Sequence, residues 1–227
     1  MKILVTTISL ALVWVTSSFA GGGGDILRGS VTVDKLEYQF YDDRTLSWDT
    51  YAFIGYDINK IYMYSEGEKV GSDSAESENQ LVYSRAILPY WDMQFGVGYD
   101  KVDGAHQSWA VLGIQGLAPY FFETRAVLLV GDKGRAGIRA EAEYEALLTQ
   151  KLVLTPSLAI AAYSKDIREM GIGSGLSNLT LGARLRYEFV REFAPYVGIE
   201  WSRNFANTET FVPLNETYVI AGVRFWF

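Results

Sequence analysis

From Val31 to Phe227 the sequence returns again and again to a two-residue alternation of apolar and polar side chains, and this period constrains the fold more than any other feature. Trp91, Met93, Phe95, Val97 and Tyr99 share one face, with Asp92, Gln94, Gly96 and Gly98 on the other. Residues 178–189 set Leu179, Leu181, Ala183, Leu185, Tyr187 and Phe189 against Asn178, Thr180, Gly182, Arg184, Arg186 and Glu188. A third copy opposes Ala136, Ile138, Ala140, Ala142 and Tyr144 to Arg139, Glu141 and Glu143. The last alternates Val219, Ala221, Val223, Phe225 and Phe227 with Ile220, Gly222, Arg224 and Trp226. A helix, with its period of 3.6, does not sort residues in this way.

Such segments number about twelve, each near the 9 to 11 residues that a tilted strand needs to cross a bilayer. Starts fall near residues 31, 45, 58, 77, 90, 107, 119, 133, 150, 176, 194 and 216. Short connections near Tyr56–Asn59, Leu88-Pro89, Leu117–Pro119, Leu148–Gln150 and Arg191-Glu192 alternate with longer ones at Gly71–Ser77, Ser164–Gly175 and Asn204–Glu216. That asymmetry fits short periplasmic turns opposite longer external loops. Pro156 falls inside the ninth segment, where it cannot donate to a ladder, and residues 109–117 carry apolar side chains in both phases. Ten strands are therefore also compatible with the pattern.

Residues 1–20 read as an export signal, with Lys2 as the charged start, Ile3 to Val15 as the apolar stretch and Ser18-Phe19-Ala20 as the cleavage signal. Cleavage is expected after Ala20, leaving a Gly-rich linker at 21–30 and the strands at 31–227. Beyond the signal no apolar run approaches the roughly 20 residues of a spanning helix. A β-sandwich shows the same alternation. Two features favour an antiparallel transmembrane β-barrel: aromatic residues at the segment ends (Tyr56, Tyr90, Trp91, Tyr120, Tyr187, Phe189, Phe225), and a final segment, Phe225-Trp226-Phe227, too apolar for an uncovered edge.

Composition removes whole classes of function. The net charge of −7, without a run of Lys or Arg, argues against nucleic acid as a partner. There is no cysteine, hence no thiolate metal site, disulfide or cysteine nucleophile. His106 is the only histidine. A hydrolase would have to pass through it, with Asp103 and Ser108 nearby, and residues so close on one hairpin rarely reach triad geometry. No enzyme chemistry is expected.

The segments as a set resemble the copper resistance protein B family of Gram-negative outer-membrane proteins. The resemblance rests on DINKIYMYSEGE from Asp57, LVYSRAILPYWDMQFGVGYD from Leu81, SWAVLGIQGLAPYFFETRA from Ser108, RAEAEYEALLTQKLVL from Arg139, GIGSGLSNLTLGARLRYEFVREFAPYVGIEW from Gly171 and the terminal AGVRFWF. It implies an outer-membrane barrel that works beside periplasmic copper-handling proteins, with copper as ligand or transported ion and no other cofactor. Family members carry a Met- and His-rich segment ahead of the barrel. Here Gly21–Ser30 contain neither residue, so that role passes to no position of this sequence.

The alternation assigns Lys60, Tyr62, Tyr64, Glu66, Glu78, Gln80, Asp92, Gln94, Glu123, Arg125, Arg139, Glu141, Glu143, Arg184, Arg186, Glu188, Glu200 and Arg224 to a polar interior. A salt-bridge lattice bracing the wall is the first reading, and a path or docking place for ions the second. Glu66, Glu141 and Glu143 are candidates for attracting a divalent cation, with His106 and Met170 as weaker ones, although an oxygen-only site does not select copper. Met63 and Met93 are expected to face lipid. The functional expectation is passage or handling of copper at the outer membrane. A general diffusion or structural barrel is the alternative.

Overall fold

The computed structural model describes residues 26–40, 45–71 and 75–227. The expected signal, its cleavage site, residues 21–25 of the linker and part of the Gly71–Ser77 connection lie outside the described residues.

Each alternating segment is a strand: β1 (Arg28–Phe40), β2 (Thr45–Gly55), β3 (Asn59–Val70), β4 (Glu76–Leu88), β5 (Trp91–Val102), β6 (Ala105–Ala118), β7 (Phe122–Gly131), β8 (Ala136–Glu143, resumed at Ala146–Leu147), β9 (Leu152–Tyr163), β10 (Gly175–Tyr187), β11 (Phe193–Asn204) and β12 (Asn215–Trp226). Sequential neighbours pair antiparallel, and β12 pairs with β1, so the sheet closes into a twelve-stranded barrel. The amide of Val31 donates to the Phe227 carbonyl at 2.9 Å and the amide of Phe227 donates to the Val31 carbonyl at 3.1 Å. Closure leaves no strand edge unpaired, which is the condition for placing a sheet in hydrocarbon. The first strand begins at Arg28, inside the stretch expected as linker.

Among the described residues no helix is long and apolar enough to cross a membrane. The outward face is the apolar one: Met63, Phe95, Val97, Leu112, Val197 and Val219 are all exposed. In a water-soluble fold this would be a large apolar liability, whereas in a bilayer it is the surface that lipid covers.

At the end carrying both termini the turns are short and aromatic. Tyr90, Tyr120 and Phe121 adopt left-handed φ of 70°, 66° and 65°, a costly conformation for bulky residues, with their rings exposed at the interface. At the opposite end, Asp103-Gly104 and Lys133-Gly134 make tight turns with positive φ at both positions. Connections at this end are thus not uniformly long. The long ones are Ser164–Ser174, which contains a helical turn at Arg168–Met170, and the segment around α1 (Ala206–Phe211).

Pro156 sits inside β9 without interrupting it, because the neighbouring strand gives way instead. Its carbonyl accepts from the Tyr144 amide at 3.1 Å, at the gap between the two parts of β8. In an antiparallel ladder the N–H and C=O of a residue point to the same neighbour. The missing proline donor therefore faces the one place where β8 has no ladder to complete.

Candidate functional site

The barrel interior is the concave, charged part of the molecule, and the burial alternation along each strand sets which side chains line it, with Glu188 just beyond the end of β10. On β10, Arg184 and Arg186 are buried while their neighbours Leu185 and Tyr187 are exposed. On β3, Tyr62 is buried between the exposed Ile61 and Met63, which sets the inward phase of Lys60, Tyr64 and Glu66.

One side of the interior is a network of ion pairs. Arg184 bonds Glu37 through Nε at 2.5 Å and Nη2 at 3.1 Å, Glu200 at 2.7 Å and the Ser157 hydroxyl at 3.1 Å. Tyr196 donates to the same Glu37 at 2.9 Å. Lys35 bridges Asp49 and Glu143, each at 3.2 Å. Nearer the termini, Glu145 accepts from Arg186 and Arg224, both at 2.8 Å, Arg186 also reaches Glu188 at 3.2 Å, and Arg224 pairs with Asp34 at 2.7 Å. Lys60 lies 3.6 Å from Asp92. The space left among Asp34, Lys35, Glu143, Thr155, Arg186 and Arg224 is about 20 Å³, room for about one water.

The wall from β2 to β5 carries a row of carboxylates that begins at Asp49 of this network. Asp49, Glu66, Glu78 and Asp100 are direct cross-strand partners on β2, β3, β4 and β5. Like charges placed opposite each other repel. Arg139 reaches from β8 to this row, with Nη1 2.5 Å from Glu78 and Nη2 2.6 Å from Asp100, while Nε donates to the Tyr163 hydroxyl at 2.9 Å. Trp109 also donates to Asp100, at 2.7 Å. Among the described residues Glu66 has no cation partner, and it feels the charges of Asp49, Glu78 and Glu141.

Between these groups runs an amide and aromatic layer. Gln94 donates to the Tyr64 hydroxyl at 2.8 Å and to Gln115 at 2.7 Å, and Arg125 bonds Gln80 at 2.5 Å while its guanidinium lies 3.9 Å over the Tyr64 ring. Arg125 also approaches Glu141 at 4.0 Å. Glu123, on the inward phase of β7, is exposed at the mouth near the termini.

The interior is not polar throughout, contrary to the expectation. Val82, Val111, Val127 and Leu129 point inward and are fully buried with Trp109, Tyr62 and Tyr163. Ile167 and Met170 from the long outer connection join this cluster, so the outer mouth is filled from above. Room for the cluster comes partly from an inward glycine: a Cβ on Gly113 would lie 2.8 Å from the Val127 methyl. The two apolar phases of β6 also resolve, with Gln107, Trp109, Val111 and Gln115 inward and Ala110, Leu112 and Ile114 outward.

The outer connections are pinned to each other. Asp166 accepts from the Ser174 amide at 2.7 Å and from Asn207 at 3.1 Å, and the Thr208 hydroxyl accepts from the Gly173 amide at 2.8 Å. The Ser174 amide, followed by the side chains of Asn207 and Ser174, holds the Asp166 carboxyl below the usual aspartate range.

His106, Asp103 and Ser108 do not assemble into a hydrolytic site. The His106 ring stacks on Tyr99 at 5.8 Å on the outer surface, away from the lumen. Met170 packs in the apolar cluster, far from the character of a ligand, and Met63 and Met93 are exposed on the outer face. Among the described residues no three of His, Asp and Glu stand close enough to hold a metal ion, so Glu66, Glu141 and Glu143 do not converge on one point.

The sequence reading missed several lumen residues. Asp34, Lys35 and Glu37 escaped it because β1 changes phase at Asp34, where the register shifts against both neighbours. The switch from Thr32 and Asp34 to Lys35, Glu37 and Gln39 was the available signal. Glu145 lies in the gap of β8, and Asp49 stands on a face otherwise occupied by Tyr51 and Phe53. Asp100 and Gln107 lie in phase with expected residues and were within reach of the pattern.

A closed barrel, lipid-facing outside and charged inside, with short turns beside its termini, defines an outer-membrane barrel protein. Solved porins share the fold: the NanC porin superposes with a TM-score of 0.56 at 11% identity, covering 87% of this chain and 99% of that one. The KdgM porin does so with a TM-score of 0.52 at 12% identity over the same shares. Residues 27–227 match the family described as "Copper resistance protein B precursor (CopB)", and the chain belongs to that family. It is 38% identical to Copper resistance protein B of Escherichia coli over 87% of this chain and 69% of that protein. It is 35% identical to the Copper resistance protein B homolog of Pseudomonas syringae pv. tomato (strain ATCC BAA-871 / DC3000), over 98% of this chain and 78% of the other. The family is one of non-enzymatic barrels.

Proposed function

We propose that this barrel handles copper at the outer membrane, taking the ion as cargo through or into its lumen rather than holding it in a resident site. The observation that carries the reading is the lumen row Asp49–Glu66–Glu78–Asp100 in a member of the copper resistance B family, in which Lys35 answers Asp49, Arg139 answers Glu78 and Asp100, and Glu66 has no cation partner among the described residues. Carboxylates attract a hydrated divalent cation by charge, and they do so without the softness that retains Cu(I). The thioethers face lipid or the apolar cluster, so selectivity for copper rests on partners: periplasmic copper-handling proteins at the end that carries the termini. The export signal is read as cleaved after Ala20.

The test is ion flux into liposomes containing the refolded barrel, comparing copper, zinc, potassium and a small neutral sugar. Flux of the divalent cations that falls in Glu66→Gln supports the reading. Equal flux of every solute, untouched by Glu66→Gln, makes the protein a general diffusion barrel and overturns it.

A further inference from the structure

The residue that sequence reasoning weighed as a hydrolytic histidine lies in a basic patch on the outer rim, and the patch has no assigned role. Lys101 and His106 are direct cross-strand partners on β5 and β6, and both point away from the lumen. Lys133 is exposed at the next tight turn, between β7 and β8. Lys165 is exposed just beyond β9 and is fixed there by donating to the Lys133 carbonyl at 2.8 Å. Strands lie about 4.8 Å apart, so these groups line one arc of the rim.

None of Lys101, Lys133 and His106 has an acidic partner among the described residues. Of the neighbouring acids, Asp132 is engaged with Arg135 at 3.5 Å and Gln107 at 3.1 Å, while Asp103, in the turn after Lys101, forms no ion pair with the patch among the described residues. Directly below, on the same outward faces, come Tyr99, Val97, Phe95, Leu112 and Val130, the lipid-covered band. Cationic donors above an apolar band stand at headgroup depth. The Tyr99 ring stacked on His106 fixes the orientation of an imidazole that presents an N–H donor.

We propose that Lys101, His106, Lys133 and Lys165 form a binding site for the phosphate groups of an anionic glycolipid in the outer leaflet. The lysines neutralise the phosphates, while acyl chains lie along Val97, Phe95 and Leu112. A protein in a chain this acidic has little general attraction for anions, so the site acts through local charge. The site is independent of the lumen and of the copper reading.

The experiment titrates the folded barrel, in neutral detergent, with diphosphoryl lipid A, with the same lipid after phosphate removal and with inorganic phosphate. Wild-type protein is expected to bind the diphosphoryl lipid and not the dephosphorylated one. Replacing Lys101, Lys133 and Lys165 with Gln is expected to weaken binding about fivefold for each lysine lost. Arg85→Gln, an exposed outward change near the opposite end of β4, keeps wild-type affinity and controls for general charge. Folding is checked by heat-dependent mobility on a gel. Equal affinity of the triple variant and wild type, equal binding of lipid with and without phosphate, or saturation by inorganic phosphate at the same concentration would each overturn the proposal.

Discussion

Glu37 and Arg184 stand 147 positions apart and meet inside the barrel through both guanidinium nitrogens that face the carboxylate, at 2.5 and 3.1 Å. The pair is almost wholly shielded, with side-chain exposures of 3% and 8%. Truncating one member of such a pair leaves the other charge buried, at a cost of about 3 kcal/mol. Glu37→Gln is therefore expected to lower the urea midpoint of the barrel in micelles markedly. Glu37→Gln combined with Arg184→Met is expected to recover part of the loss, and a double variant weaker than the sum of the singles would sink the idea.

Arg139 ties Glu78 and Asp100 to the far wall. Arg139→Met removes the only arginine bonded to either carboxylate among the described residues and leaves Lys35, on Asp49, as the row's remaining cation partner. Liposome flux of divalent cations is expected to rise several-fold while resistance to urea falls. Unchanged flux would detach the carboxylate row from conduction.

Ile167 and Met170 fill the outer mouth against Trp109 and Tyr163. Cutting back Met170 to Ala removes a side chain that is 5% exposed, and such core deletions cost about 2 to 5 kcal/mol of local packing. The expected result is faster hydrogen exchange in residues 164–174 and greater single-channel conductance, with the transmembrane ladder unaffected. Conductance equal to wild type would mean that the constriction lies lower in the barrel.

Asp166 joins the two long outer connections through hydrogen bonds to its charged form. Its folded-state value is lowered, so its contribution is present above the ordinary aspartate range and is lost as pH falls through the lowered value. Hydrogen exchange at the Ser174 amide, corrected for intrinsic rate, is expected to stay slow at neutral pH and to quicken in strong acid. Asp166→Asn is expected to show the fast behaviour at every pH, and persistent protection in that variant would count against the latch.

Pro156 faces the gap in β8, so restoring its donor completes no ladder bond. Pro156→Ala is expected to cost only about 0.4 to 1 kcal/mol, from the freer unfolded chain. A stabilised variant, measured by urea unfolding, would show that the gap closes when a donor is offered.

Strand number and closure were legible because the period of two is strict where one face meets lipid. Glu37 was not, because one extra residue at Asp34 inverts the phase of everything after it in β1. The apolar cluster was hidden for a different reason. Val111 and Val127 look the same in sequence whether a methyl group meets lipid or meets Tyr62 across the lumen. Which charges answer which is a property of ring closure, and Arg139 with Asp100 joins strands that share no ladder.

The hydrogen bonds between Val31 and Phe227 join positions at opposite ends of the barrel sequence. Contacts of such separation form slowly, since the long loop they close carries a large entropic cost. Every other hairpin of this barrel is local and can form early. Membership of the ring is thus decided last, at a single seam, and the wait for that seam sets how long the nascent sheet needs protection before it is safe in the bilayer.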